Sequence, residues 1–295
     1  MAPKHTALAL LVVVLWGLNF VVIDAGLSDV PPMLLLALRF LLVALPAVFF
    51  VPRPKAPLRT VLGIGVFMSL GQFSLLYFAL EFGMPAGLAS LVLQAQIILT
   101  VVVAALVLRE RPTRQQGIGI LVGVVGLAIV VVSHGTTAPW VPLLLTIAAA
   151  LSWAIGNVIG RSAKGVSGLS LVVWSALIVP VPALLFAIML DGAPAIWASV
   201  TSLSLTAILS TVYTAVCASL LGYGIWNSLL SRYESAKVVP FALLVPVIGI
   251  LAAWVFQSEV PLLGELIGGA IMVIGLAVST VKRPSLLKRP VVPLV

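Results

Sequence analysis

Two pairs of tryptophan and asparagine have the spacing that ligand recognition from one helix face requires. Trp16 precedes Asn19 by three residues, which places both side chains on the same face of a helix. Trp153 precedes Asn157 by four residues, with the same result. In such a pair, the indole can pack against apolar ligand surface while the carboxamide bonds a carboxylate or an amine. Alternatively, the asparagines join neighbouring helices through hydrogen bonds, and the spacing favours neither role.

Further polar residues lie inside long apolar segments, where an unpaired polar side chain is costly. Gln94 and Gln96 are about 200° apart around a helix, so we expect one to line a ligand path and the other to bond a neighbouring helix. Arg39 could hold a carboxylate bidentately, but we expect its long side chain to reach the lipid headgroups instead. The weaker candidates, for which a structural role is favoured, are Gln72, Tyr77, Tyr223 and Asn227.

Prolines and glycines in the apolar segments predict local helix geometry. Pro85 opens the fourth segment, while Pro240 and Pro246 interrupt the ninth. A proline inside a helix removes one backbone hydrogen bond and leaves a carbonyl without its usual partner. We therefore predict helix breaks near a ligand path at these three residues. Glycine-rich stretches in the fifth and tenth segments predict close helix packing; they contain Gly119, Gly123, Gly126, Gly268, Gly269 and Gly275.

The composition is that of a membrane-embedded chain. Of 295 residues, 62% are hydrophobic and only 8% are charged, whereas about 25% charged residues is usual for a soluble domain. This excludes an ordinary soluble enzyme and a disordered chain, and Cys217 has no partner for a disulfide. We expect an all-α integral membrane protein, because a backbone in lipid must bond itself. Ten apolar segments lie near 7–23, 33–51, 61–80, 86–108, 115–132, 140–160, 169–190, 205–229, 238–257 and 262–281.

The charged residues lie between these segments in a pattern that predicts orientation. With the N-terminus in the cytoplasm, fifteen of the sixteen Lys and Arg residues lie on the inner side, and Arg39 is the exception. The net charge of +8 therefore indicates topology rather than nucleic-acid binding. We expect both termini to be cytoplasmic, with a basic tail at 282–295.

The two halves of the chain resemble each other. The stretch that begins at Glu110 matches the one that begins at Glu259 at eight of nineteen aligned positions, with a proline in register two residues later. The predicted repeats are 7–132 and 140–281, with five segments in each. Because five is an odd number, the second repeat would cross the membrane in the orientation opposite to that of the first. Inverted pairs are typical of secondary transporters, which hold substrate near the midplane. The two tryptophan–asparagine faces could then oppose each other across a central cavity.

Several longer runs carry a resemblance to a known family. They are A-L-L-V-V-V-L-W-G-L-N-F-V-V at 9–22, F-G-M-P-A-G-L-A-S-L-V-L-Q-A-Q at 82–96, S-W-A-I-G-N at 152–157 and G-Y-G-I-W at 222–226. Over nearly its whole length the chain resembles the EamA-like ten-helix exporters of the drug/metabolite transporter superfamily. The resemblance implies a bacterial plasma-membrane exporter that works by alternating access. It also implies small metabolites as substrates, amino acids or derivatives such as cysteine and O-acetylserine.

Other functional classes lack the residues they need. No phosphate-binding G-x-x-x-x-G-K-[ST] run occurs, and His5 and His134 lack the neighbours of a metal site. We therefore expect no cofactor, no metal and no enzymatic activity. The predicted partners are a small-molecule substrate and the lipid bilayer, without nucleic acid. The sequence leaves the oligomeric state open, and a monomer is compatible with it.

The energy source and the direction of transport also stay open. No acid lies at the middle of a segment, so ion coupling would have to use Asp24, Glu81 or Glu259 near the segment ends. We favour facilitated diffusion over coupling. The alternatives to an exporter are an importer or a multidrug transporter of the same fold, a membrane-embedded enzyme, and a structural membrane subunit.

Overall fold

The computed structural model describes residues 1–134, 139–163, 165–233 and 235–280, and these ranges contain helices without any strand. Within them, eight helices are long and apolar enough to cross a membrane, and two shorter apolar helices accompany them. Each overlaps one of the ten predicted segments, so the all-α prediction is confirmed; the tail at 282–295 lies outside the described residues. The apolar helices are α1 (Pro3–Leu27), α2 (Pro32–Val48), α3 (Leu58–Glu81), α4 (Ala86–Val107), α5 (Arg114–Ser133), α6 (Trp140–Ala163), α7 (Gly168–Asp191), α8 (Leu205–Arg232), α9 (Lys237–Gln257) and α10 (Leu263–Ser279).

Prolines determine where several of these helices begin. Pro3 and Pro32 occupy the first turns of α1 and α2, where a missing N–H group costs no intrahelical bond. Pro57 directly precedes α3, and Pro85 directly precedes α4. Pro85 therefore opens α4, as predicted, but it interrupts no helix, so the predicted helix break at this residue is wrong.

Large apolar side chains cover the outside of the bundle. Phe49 is 81% exposed, Phe50 is 86% exposed and Leu106 is 75% exposed. Such a surface would favour aggregation in water, whereas lipid tails are as apolar as these side chains. The exposed surface therefore agrees with a multi-pass membrane protein.

The closest helix packing is between α5 and α10. A Cβ atom added to Gly126 would lie 2.5 Å from the carbonyl oxygen of Gly268, and one added to Gly119 would lie 2.5 Å from that of Gly275. Only glycine permits backbones to approach this closely. The packing role predicted for these glycines is confirmed, but two of them face α4 rather than the α5–α10 contact: Gly123 faces Ile98 and Gly269 faces Leu91.

Four of the long helices depart from regular α geometry. α3 contains a π-helical segment at Gly65–Gly71, and α8 contains one at Tyr213–Leu221. α4 is interrupted by a turn at residues 93–94, and α9 by a turn at residues 243–244. The turn in α9 lies between the two prolines that predicted it, with Pro240 inside the preceding helix and Pro246 in the first turn of the next. The turn in α4 has no proline in it.

Candidate functional site

Arg39 is the only charged side chain buried near the middle of a described apolar helix. It lies in α2 and is 2% exposed. Its Nη1 atom donates to the Tyr77 hydroxyl of α3 at 3.1 Å, and its Nη2 atom donates to the Ser219 hydroxyl of α8 at 3.0 Å. The guanidinium carbon lies 4.0 Å from the centre of the Phe73 ring, a cation–π contact. The expectation that Arg39 reaches the headgroups is wrong, because α3 and α8 hold its guanidinium inside the bundle.

The positive charge of Arg39 has no carboxylate beside it. Among the described residues Arg39 forms no ion pair, and its Nε atom is buried without a hydrogen-bond partner. A buried arginine without a counter-ion is costly in a membrane. A carboxylate on a bound ligand would supply both the missing charge and a matching pair of acceptors.

The π-helical segment of α8 joins Arg39 to an aromatic cluster on α1 and α8. The Trp16 Nε1 atom donates to the Ala218 carbonyl at 2.9 Å, next to the serine that bonds Arg39. The Trp16 ring lies 5.3 Å from that of Tyr223 and 5.2 Å from that of Trp226. The Ser219 hydroxyl in turn donates to the Thr214 carbonyl of the same π-helical segment at 2.8 Å. π-helical segments occur frequently at functional sites.

Gln72 directly precedes Phe73, a member of the Arg39 group (Arg39, Phe73, Tyr77 and Ser219), and its side chain has no hydrogen bond within the described ranges. It is 1% exposed, and neither its Nε2 nor its Oε1 atom has a partner within the described ranges. Each unpaired polar atom costs about 1–3 kcal/mol. Gly71 faces Ser152 of α6, and Phe73 faces Arg39 of α2. Since successive helical residues are about 100° apart, Gln72 points into the bundle between those two neighbours.

Asn19 presents a second unpaired atom to the same region. It is 8% exposed, and its Oδ1 atom is buried without a partner in the described part of the chain. A Cβ atom added to Gly26, two turns further along the same face of α1, would meet Ser210 of α8 first and then Leu35 of α2 at 3.0 Å. The Asn19 face of α1 is therefore turned toward α8 and α2.

A separate group of hydrogen bonds joins α4 to α6 and α9. The Gln94 Nε2 atom donates to the Ala242 carbonyl at 3.1 Å. That carbonyl lies four residues before Pro246, which has no N–H group to bond it. The Asn157 Nδ2 atom donates to the Gln96 Oε1 atom at 3.3 Å. Both glutamines therefore bond neighbouring helices, as expected for one of them, and the expectation that the other lines a path stays a prediction.

Trp153 and Asn227, two further candidates from the sequence, lie outside the two groups of hydrogen bonds described above. Trp153 is half-buried and packs against the hydrophobic core, and the Asn227 carboxamide lies against Gly168 of α7. One group of candidates lies around α8 and consists of Trp16, Arg39, Tyr77 and Tyr223. Within the described residues, this group shares no hydrogen bond with the Gln96–Asn157 pair. Sequence reasoning missed Ser219 and Phe73, since an isolated serine and a phenylalanine in an apolar segment carry no signal.

A second polar region lies where α9 and α10 meet the start of α4. The Glu259 carboxylate accepts hydrogen bonds from the backbone N–H groups of Ala86 at 3.1 Å and Gly87 at 3.2 Å. Beside it is a cavity of about 310 Å³, into which His134 and Glu265 also project. The His134 Nε2 and Glu265 Oε1 atoms lie within hydrogen-bonding distance of each other, at 3.0 Å. The described residues contain no group of three His, Cys, Asp or Glu side chains that could hold a metal ion.

Comparisons with known proteins identify the family. The model of the "EamA-like transporter family" matches residues 4–132 and again residues 140–281. A "Probable amino-acid metabolite efflux pump" of Salmonella typhimurium is 49% identical over 279 residues, covering 92% of this chain and 93% of the relative.

One further relative agrees with this, and one solved structure has a similar fold. A protein of the same description in Escherichia coli is 44% identical over 285 residues, covering 95% of both chains. A solved structure described only as "Crystal structure of protein" aligns with a TM-score of 0.65 and 21% identity, over 95% of this chain and 97% of the other. The chain therefore belongs to the EamA-like transporter family.

Proposed function

We propose that this protein exports amino-acid-like metabolites across a bacterial plasma membrane, and that Arg39 binds the substrate carboxylate. The observation that carries the proposal is the buried guanidinium of Arg39, which has two hydroxyl partners and no counter-ion. The names of the two relatives, each a "Probable amino-acid metabolite efflux pump", support export and this substrate class.

The proposal includes the ten-helix arrangement as two inverted five-helix repeats, 7–132 and 140–281, with both termini in the cytoplasm. The distribution of Lys and Arg supports this orientation. The family model matches twice with nearly the same bounds, which supports the repeat. In alternating access, the two repeats would move against each other around the Arg39 group and expose it to one side at a time.

The chemistry of binding follows from the geometry of Arg39. Its two terminal nitrogens each donate to a hydroxyl, and these hydroxyls are weaker acceptors than a carboxylate. A substrate carboxylate can replace one or both of them and neutralise the buried charge. The indole of Trp16 and the ring of Tyr223, which border the same π-helical segment, offer apolar surface to the rest of the substrate. Release is favoured when the site opens to water, because water solvates both ions.

Transport by purified protein in liposomes tests the proposal. Liposomes are loaded with labelled L-cysteine or O-acetyl-L-serine, and we expect the wild-type protein to release the label faster than protein-free liposomes. Arg39→Gln should slow release by about tenfold or more, since a charge-assisted hydrogen bond contributes about 1.5–3 kcal/mol. Arg161→Gln is the matched control, because Arg161 is 42% exposed and pairs with Glu110.

Two results would contradict the proposal. If the wild-type protein released neither solute, nor any other labelled amino acid, the exporter function would be wrong. If Arg39→Gln and Arg161→Gln released the label at the same rate as the wild type, Arg39 would not bind the carboxylate. Repeating the assay with a pH gradient across the liposome membrane separates facilitated diffusion, for which the rate stays unchanged, from proton coupling.

A further inference from the structure

The side chain of Gln72 is the most deeply buried polar group that has no partner among the described residues. Its amide carries an unused donor and an unused acceptor. It precedes Phe73, whose ring contacts the Arg39 guanidinium at 4.0 Å. The next turn of the same helix places Tyr77 on Arg39 Nη1. A polar group in this position is explained by a ligand that supplies the missing partners.

The charges around Gln72 restrict what such a ligand can be. Arg39 is the one basic residue inside an apolar segment, and all eight acidic residues lie at or near the ends of the segments. The interior therefore offers one positive charge, neutral oxygens and aromatic rings. A substrate with a carboxylate and an α-ammonium brings no net charge to this site. A substrate with a second cation adds a positive charge that no anion balances.

We propose that Gln72 determines substrate specificity by binding the group next to the carboxylate that Arg39 holds. Its Oε1 atom accepts a hydrogen bond from the α-ammonium, and its Nε2 atom donates to a carboxylate or side-chain oxygen of the same substrate. Because Gln72 is neutral, the site accepts amino acids with uncharged side chains and rejects lysine-like amino acids. This inference rests on the proposed function, since it needs Arg39 to hold the carboxylate.

Competition in liposomes containing the wild-type protein first tests whether the site rejects amino acids with a positively charged side chain. Unlabelled L-serine, L-lysine and L-cysteine methyl ester are compared as inhibitors of labelled L-cysteine transport. We expect L-serine to inhibit. L-Lysine and the ester, which lacks a carboxylate, should inhibit at least about tenfold more weakly than L-serine, the effect of one lost charged contact. If L-lysine inhibited as well as L-serine, the inference would be overturned.

Substitution of Gln72 by an acid tests whether this residue determines the rejection of positively charged side chains. In Gln72→Glu, the new carboxylate balances a second cation and competes with the substrate for Arg39. The ratio of lysine to cysteine transport should therefore rise by about tenfold or more, the factor that one charged contact supplies. Gln96→Glu is the matched control, because Gln96 bonds Asn157 rather than the Arg39 group. An unchanged ratio in Gln72→Glu would refute the role of Gln72.

Gln72→Leu keeps the inference testable if the acidic variant does not fold. Leucine removes two unpaired polar atoms, so the melting temperature should stay the same or rise, while KM for L-cysteine rises about tenfold, as expected for one lost contact. A structural role for Gln72 would instead lower the melting temperature and leave KM unchanged, and that result would overturn the inference. If Arg39→Gln transports normally, the proposed function fails; if only the Gln72 variants transport normally, the specificity role alone fails.

Discussion

Glu110 and Glu259 occupy equivalent positions in the repeated motif, yet their contacts predict that Glu259 contributes more to the free energy of unfolding. Glu259 accepts hydrogen bonds from the N–H groups of Ala86 and Gly87, 173 and 172 residues away in sequence. These groups open α4, where N–H groups have no intrahelical partner. Pro85 at the cap position supplies no side-chain hydrogen bond, so the carboxylate of Glu259 is the cap of this helix.

The cost of removing each glutamate follows from these contacts. Loss of a helix cap costs about 0.5–2 kcal/mol, and a charged acceptor near the positive end of the helix dipole raises this toward the upper value. We therefore expect Glu259→Ala to lower the free energy of unfolding by about 2 kcal/mol. Glu110 is 53% exposed and pairs with Arg161, which is 42% exposed. Exposed pairs contribute about 0.2–1 kcal/mol, so Glu110→Ala should cost less.

Unfolding in detergent micelles measures the difference, with the fluorescence of the seven tryptophans as the signal. Three variants are compared with the wild type: Glu259→Ala, Glu259→Gln and Glu110→Ala. Glutamine keeps one oxygen acceptor without the charge, so its loss of stability should lie between those of the other two. If Glu110→Ala destabilised the protein as much as Glu259→Ala, the capping role of Glu259 would be refuted.

Two further substitutions test packing and backbone bonding. Gly126→Ala should lower the free energy of unfolding by about 1–3 kcal/mol, because the added methyl group overlaps the backbone of α10. Gly117→Ala in the same helix is its control and should be neutral or stabilising, since nothing lies within 4 Å of the added atom. Gln94→Leu leaves the Ala242 carbonyl unbonded and should cost about 1–3 kcal/mol; an unchanged melting temperature would contradict this.

The helices were predictable because lipid imposes a length and an internal hydrogen-bonding rule on every segment that crosses it. The ten apolar runs were therefore enough to anticipate the eight long and two shorter apolar helices of the described residues. The turn in α9 was predictable for a similar reason, since Pro240 and Pro246 remove backbone donors. The turn at 93–94 of α4 was not, because the residues there include no proline or glycine, and the turn depends on contacts with other helices.

The candidate site was less predictable than the fold. The position of Arg39 within its segment can be read from the sequence, but the direction in which its side chain points cannot. That direction decides whether the guanidinium contacts lipid headgroups or is buried among other helices. Its partners Tyr77 and Ser219 lie 38 and 180 residues away. Pairing over such distances depends on how helices pack, which hydrophobic periodicity does not specify in a chain that is apolar on every face.

The irregular backbone of α3, α8 and α9 accepts hydrogen bonds from side chains of the opposite half of the chain. Three carbonyls of these helices accept a hydrogen bond from a side chain of the other half, and one of them, that of Ala242, lies four residues before Pro246 and so lacks its helical donor. The three hydrogen bonds run from Gln94 to Ala242, from Trp16 to Ala218 and from Ser152 to Phe67. Each would have to break or be exchanged if one half moved against the other. The same helices carry Arg39's partners Tyr77 and Ser219, so such a motion would also alter how the guanidinium is held.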